Sequence, residues 1–147
     1  MLVLDTTTIL FFVSAIALLK LAHQDWNTQT IDERISYYMM GLITTLFLLQ
    51  NMIVAWIILV LVVSIALPHI KQKLSHFLAA GDVTVLTWLT PAILLINPVY
   101  FVVWLFVYAA TNLGFYFIFK SRKQPGIPPI FFSVLILWGI HFTKLIL

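Results

Sequence analysis

The sequence predicts an all-α fold, a six-transmembrane helix bundle forming a single polytopic membrane domain over residues 1–147. Three observations carry that expectation. Hydrophobic residues make up 63% of the chain, and the mean hydropathy is +1.09. Charged residues amount to 9%, against roughly 25% in soluble domains, too few to cover a water-facing surface. The apolar residues also fall into six runs, separated by short connections whose positive charge alternates from side to side.

The first run, Leu2–Ala22, is about 21 residues long, exceeds a signal-peptide core and lacks a basic segment before it, so it reads as a retained helix. Ile35–Leu49 and Met52–Leu67 are short, and only Gln50-Asn51 parts them. Joined, they would make a helix of ~50 Å, too long for a ~30 Å hydrocarbon core without extreme tilt. Two short helices with a tight polar turn are expected instead. Ala79–Ile96 and Pro98–Phe119 meet at Asn97-Pro98, where proline favours a helix start. Ile127–Leu147 is the last run.

Lys20, Arg34, Lys71, Lys73, Lys120, Arg122 and Lys123 then fall on one face, and only Lys144 on the other. The positive-inside rule puts that face in the cytoplasm and both termini outside. The absence of cysteine excludes disulfides, thiolate metal sites and a cysteine nucleophile. A dispersed net charge of +3 gives no ground for nucleic-acid binding.

Against this apolar background five acidic residues stand out, Asp5, Asp25, Asp32, Glu33 and Asp82. Asp25 follows the first run, just past its helix end, and Asp82 sits alone in Phe77-Leu78-Ala79-Ala80-Gly81-Asp82-Val83. A carboxylate within a membrane segment costs about 2.5–3.5 kcal/mol near mid-bilayer and less toward the interface, so an isolated one points to function. The six-span arrangement sets both aspartates at similar depth near the cytoplasmic face. Two carboxylates about 3 Å apart share a proton, and their titrations separate. The ionised one activates water, while the protonated one polarises a peptide carbonyl, hydrolysing an amide with no cofactor and no metal. Gly81 would let a substrate backbone approach and would permit unusual backbone angles, and Ala79 and Ala80 extend that small-residue patch. Taken alone, Asp82 reads equally as the N-cap of the fourth helix, and Asp25 as a solvated loop carboxylate.

At these residues the chain resembles the type IV prepilin leader peptidases, membrane aspartyl proteases with a Gly-x-Gly-Asp motif. Asp25, five intervening residues and then Ile31-Asp32-Glu33-Arg34-Ile35-Ser36 match the register of the family's first motif. Ala79-Ala80-Gly81-Asp82-Val83-Thr84-Val85-Leu86 is similar to its second, and Pro125-Gly126-Ile127-Pro128-Pro129 to its proline-rich approach to the last span. Asp32, Ala79 and Thr84 depart from the usual Pro, Gly and Lys.

The resemblance implies a prokaryotic plasma-membrane hydrolase whose catalytic residues are Asp25 and Asp82. Its substrate would be a prepilin-like membrane protein (pilin, pseudopilin or archaellin), cleaved after a basic leader at the cytoplasmic face. The methyltransferase module of bifunctional members, with its cysteines, is absent, which implies the short form. Asp32 and Glu33 would then be candidate contacts for the basic leader, or simply a solvated loop.

His23 and His76 flank the aspartates, but interfacial histidines usually serve as hydrogen-bonders, so no metal is expected. Trp26, Tyr37 and Tyr38 read as interfacial anchors. Trp56, Trp104 and Trp138 read as packing or lipid-facing residues, and Thr44, Thr45, Thr111 and Asn112 as interhelical hydrogen-bonders. Two other functions remain open, a non-catalytic scaffold that binds pilin-like helices and a small proton-coupled transporter. A transporter more readily carries mid-membrane carboxylates within recognisable repeats, and no repeat is visible here.

Overall fold

Each of the six apolar runs is a helix in the computed structural model, which describes residues 6–28, 30–73, 80–119 and 126–146, with backbone alone for Ala80 and residues 144–146. The helices are α1 (Thr6–Thr28), α2 (Glu33–Leu49), α3 (Ile53–Lys73), α4 (Ala80–Ile96), α5 (Pro98–Ile118) and α6 (Ile127–Ile146). Among the described residues there is no strand. By length and apolarity α1, α3 and α5 suffice to cross a membrane, whereas Gly81–Ile96 and Ile127–Thr143 are apolar but shorter. The 17 residues of α2 and of α4 rise about 25 Å, the lower end of what a span requires.

The turns follow local chemistry. Between α2 and α3, Asn51 adopts φ 59°, a left-handed conformation that asparagine tolerates, and Met52 N–H donates to the Phe47 carbonyl at 2.9 Å. Asn97 caps α5 by accepting from Val99 N–H at 2.9 Å, with Pro98 in the first turn as expected. Asp32 caps α2, accepting from Arg34 N–H at 3.0 Å.

Two helices overrun their apolar runs. α3 continues past Leu67 and Pro68 to Lys73, and α1 continues past Ala22 to Thr28. The second extension corrects the sequence expectation for Asp25, which lies inside the last stretch of α1 rather than beyond the helix. The buried face of α1 explains why. Ser14, Leu18, Leu21 and Asp25 fall at helical spacing on one stripe, so the packing of the helix continues across its polar end. Trp26 adds a hold from the adjacent face, its ring edge-on to Phe119 at 5.4 Å.

α4 is the central helix, packed against α2, α3, α5 and α6. It buries Val85, Leu86, Trp88, Leu89, Ala92 and Ile93, apolar almost all round, as an enclosed helix must be. α6 lies between α1 and α5 and buries Ile127, Ile130, Val134 and Leu137. Because lipid is as apolar as leucine, close packing and interhelical hydrogen bonds hold such a bundle, the latter averaging about 0.6 kcal/mol each. Trp56 Nε1 donates to Thr44 Oγ1 at 2.9 Å, Trp104 Nε1 to Ser133 Oγ at 3.0 Å, and Thr111 Oγ1 to the Pro129 carbonyl at 3.2 Å. Thr44 and Thr111 thus bond between helices as expected. Thr45 bonds within its own helix, to the Gly41 carbonyl, and Asn112 to Tyr108 one turn back.

The up-and-down order brings the end of α1 and the starts of α2, α4 and α6 to one end of the bundle. At the other end His141 joins three helices, with Thr8 Oγ1 at 3.2 Å from one ring nitrogen and the Tyr100 hydroxyl at 3.1 Å from the other.

Candidate active site

Two prolines at the start of α6 decide which backbone groups are free there. In Pro125-Gly126-Ile127-Pro128-Pro129 only Gly126 and Ile127 carry an N–H. A helix leaves its first amides without internal partners. Ile127 N–H donates to Asp25 Oδ2 at 2.9 Å, and the Gly126 N–H faces the same carboxylate. Asp25 is 8% exposed, so this backbone bond replaces solvation lost on burial.

Asp82 is 1% exposed, in the first turn of α4. It does not occupy the N-cap position, since the helix already runs through Ala80 and Gly81. Its side chain reaches Gly126 instead. A Cβ at Gly126 would collide with both carboxylate oxygens and the carboxyl carbon of Asp82, so only glycine fits there. Both aspartates therefore converge on one dipeptide, Gly126-Ile127, from helices well separated in sequence. Tyr108 of α5 lies within electrostatic reach of Asp82, and its hydroxyl accepts from Asn112 Nδ2 at 3.5 Å.

The other expected site residues divide. Gly81 is a helical residue, with no positive φ among the described glycines, so the unusual backbone angles expected there are not adopted. A Cβ on it would meet Ile31 Cδ1 at 3.0 Å. Its small size thus admits Ile31, at the head of α2, onto the start of α4. Ala80 opens α4, and Ala79 lies outside the described residues, as does His76. Asp32 and Glu33 are exposed, apart from the buried pair, and Asp32 serves as the α2 cap. His23 is exposed and pairs with Asn27 at 3.2 Å.

Sequence reasoning marked the proline-rich segment but missed what Gly126 and Ile127 do. The available signal was that prolines remove every other donor in the segment. It also missed Tyr108, which lies with Asn112, expected only as an interhelical hydrogen-bonder, on a wall of a lateral groove of about 540 Å³ between α3 and α5. Leu86 and Thr90 line the same groove from α4.

Together these features bury two carboxylates among apolar side chains, with backbone donors at one of them and an apolar groove alongside. Such a setting can hold two acids in different protonation states and so support general acid–base chemistry. Compared with known protein families, with characterised proteins and with solved structures, the chain matches none.

Proposed function

We propose that this protein is a membrane-embedded aspartic endopeptidase that removes a basic leader from prepilin-like precursors at the cytoplasmic membrane face. The observation that carries the reading is the convergence of Asp25 and Asp82, both buried, on Gly126-Ile127. Burying two carboxylates in an apolar bundle is costly, and a purely structural polar contact would need only one of them. One aspartate in ionised form takes a proton from water. The other, protonated, donates to the scissile carbonyl, and the roles reverse as the amine leaves. The reading is supported by the basic connections, which under the positive-inside rule would lie in the cytoplasm at the same end as the two aspartates, where a leader would emerge from the membrane.

The test is cleavage of a prepilin-like precursor by the purified, reconstituted protein. Asp25→Asn and Asp82→Asn preserve size but cannot cycle between acid and base, so each is expected to abolish cleavage while the bundle stays folded. The double variant is expected to be no worse than either single one, since residues acting as a unit are not additive. Cleavage retained by a folded Asp82→Asn protein would sink the proposal.

A further inference from the structure

The two aspartates stand in unequal surroundings. Asp25 meets the start of α6, where Ile127 N–H donates to Oδ2 at 2.9 Å and the Gly126 N–H faces the same carboxylate. Pro128 and Pro129 carry no N–H, so the first turn of α6 directs both of its available donors at this one acceptor. Gly126, Ile127, Pro128 and Pro129 are all buried, which keeps those donors from solvent. Asp82 meets the other flank of Gly126, where the Cα face and not an N–H is turned toward its carboxylate. It is also the more deeply buried of the pair, 1% exposed against 8%.

From this asymmetry we infer that Asp25 is the ionised partner, the base that activates water, and Asp82 the protonated partner, the acid that donates to the scissile carbonyl. The assignment rests on the peptidase reading, and the Gly126 and Ile127 amides are the positioning groups that fix it. Hydrogen bonds to a charged form favour that form, whereas burial favours the neutral one, and two carboxylates on one dipeptide do not both ionise cheaply. Asp82 does feel the field of the first turn of α4, but a direct charge-assisted bond outweighs a helix field. Groups on the packed helices do not reverse the choice. Lys20, His23, Asp32, Glu33, Arg34 and Lys73 are exposed and Lys71 partly so, where water and salt screen them. Tyr108 on α5 reaches Asp82 as a neutral phenol.

The proton inventory then closes. Asp25 takes a proton from water as the water oxygen bonds to the scissile carbonyl carbon, and the Asp82 proton passes to the carbonyl oxygen. When the carbon–nitrogen bond breaks, Asp25 gives its proton to the leaving nitrogen. Asp82 recovers one from a hydroxyl of the tetrahedral intermediate as the carbonyl re-forms. Both side chains return to their starting states.

Infrared spectroscopy tests the assignment without any cleavage. The protein is made by cell-free synthesis with ordinary aspartate, or with aspartate carrying heavy carbon in its side-chain carboxyl, and is reconstituted in phosphatidylcholine vesicles at neutral pH. Difference spectra then report aspartate carboxyls alone. The wild type is expected to show one protonated-acid carbonyl band, lost in Asp82→Asn and kept in Asp25→Asn. No such band in the wild type, its loss in Asp25→Asn, or its survival in Asp82→Asn overturns the assignment. An ester in place of the Gly126–Ile127 amide deletes one N–H and keeps both carboxyls, which covers the case of an Asn variant that does not fold. That ester is expected to shift an ionised-carboxylate band and leave the acid band in place. A shifted acid band, or no shift at all, overturns the assignment. A proton held by Asp82 in a protein that cleaves no prepilin-like precursor would count against the peptidase reading alone. Cleavage with the proton found on Asp25 would count against this assignment alone.

Discussion

Gly126 is the residue on which the candidate site depends most sharply. The space that a side chain would take there is filled by the Asp82 carboxylate, which sits on a short side chain with little room to yield. Gly126→Ala is therefore expected to cost about 1–3 kcal/mol through overpacking and to displace Asp82, abolishing cleavage. Gly41→Ala is the contrasting case. Nothing lies within 4 Å of its would-be Cβ. Within helix α2 that change is expected to be neutral or to stabilise by roughly 0.5–1 kcal/mol, with cleavage unchanged. Thermal unfolding in detergent and the cleavage assay together distinguish the two. Equal effects at both glycines would show that Asp82 does not occupy the space above Gly126.

The head of α2 shows how one residue can invite two readings. Asp32 and Glu33 were candidate contacts for a basic leader, yet Asp32 also caps its helix through Arg34 N–H. Asp32→Asn separates the roles, because asparagine caps as well as aspartate but carries no charge. If the charge recruits a leader, Asp32→Asn combined with Glu33→Gln should raise KM at low salt, with the difference shrinking as salt screens it. Asp32→Ala should in addition lower stability by about 1 kcal/mol through loss of the cap. An unchanged KM for Asp32→Asn/Glu33→Gln at low ionic strength would leave Asp32 with capping alone.

At the scale of the whole molecule, one shared end for the last turn of α1 and the first turns of α4 and α6 is the condition for any joint chemistry. Single cysteines at Thr28 and Gln72, exposed positions near that end, should label with an impermeant reagent in inside-out vesicles and not in intact cells. A cysteine at Asn51, in the opposite turn, should label only from outside. Labelling of Gln72 and Asn51 from the same side would contradict the alternation on which the six-span proposal depends. Positions in residues 74–79 and 120–125, such as Ser75 and Ser121, lie outside the described residues.

How far the sequence reached follows from which quantities are local. Hydropathy depends on neighbours along the chain, so all six helices and the Asn97-Pro98 start were legible, as was the Gln50-Asn51 turn. Asp25 and Asp82 stood out because charge is costly anywhere in such a chain. The true end of α1 was obscured because polar residues 23–28 end the hydropathy signal, while the buried stripe through Leu18, Leu21 and Asp25 continues the helix. Only the tertiary structure could bring Gly126 to Asp82 and the Ile127 amide to Asp25, since those contacts join segments far apart in sequence. The same holds for Ile31 over Gly81 and for the groove between α3 and α5. The sequence by itself determined which segments are helical and where charge is scarce. The packing of α4 among its neighbours decided which of those charges meet, because contact between distant segments depends on helix rotation and depth, which local composition does not encode.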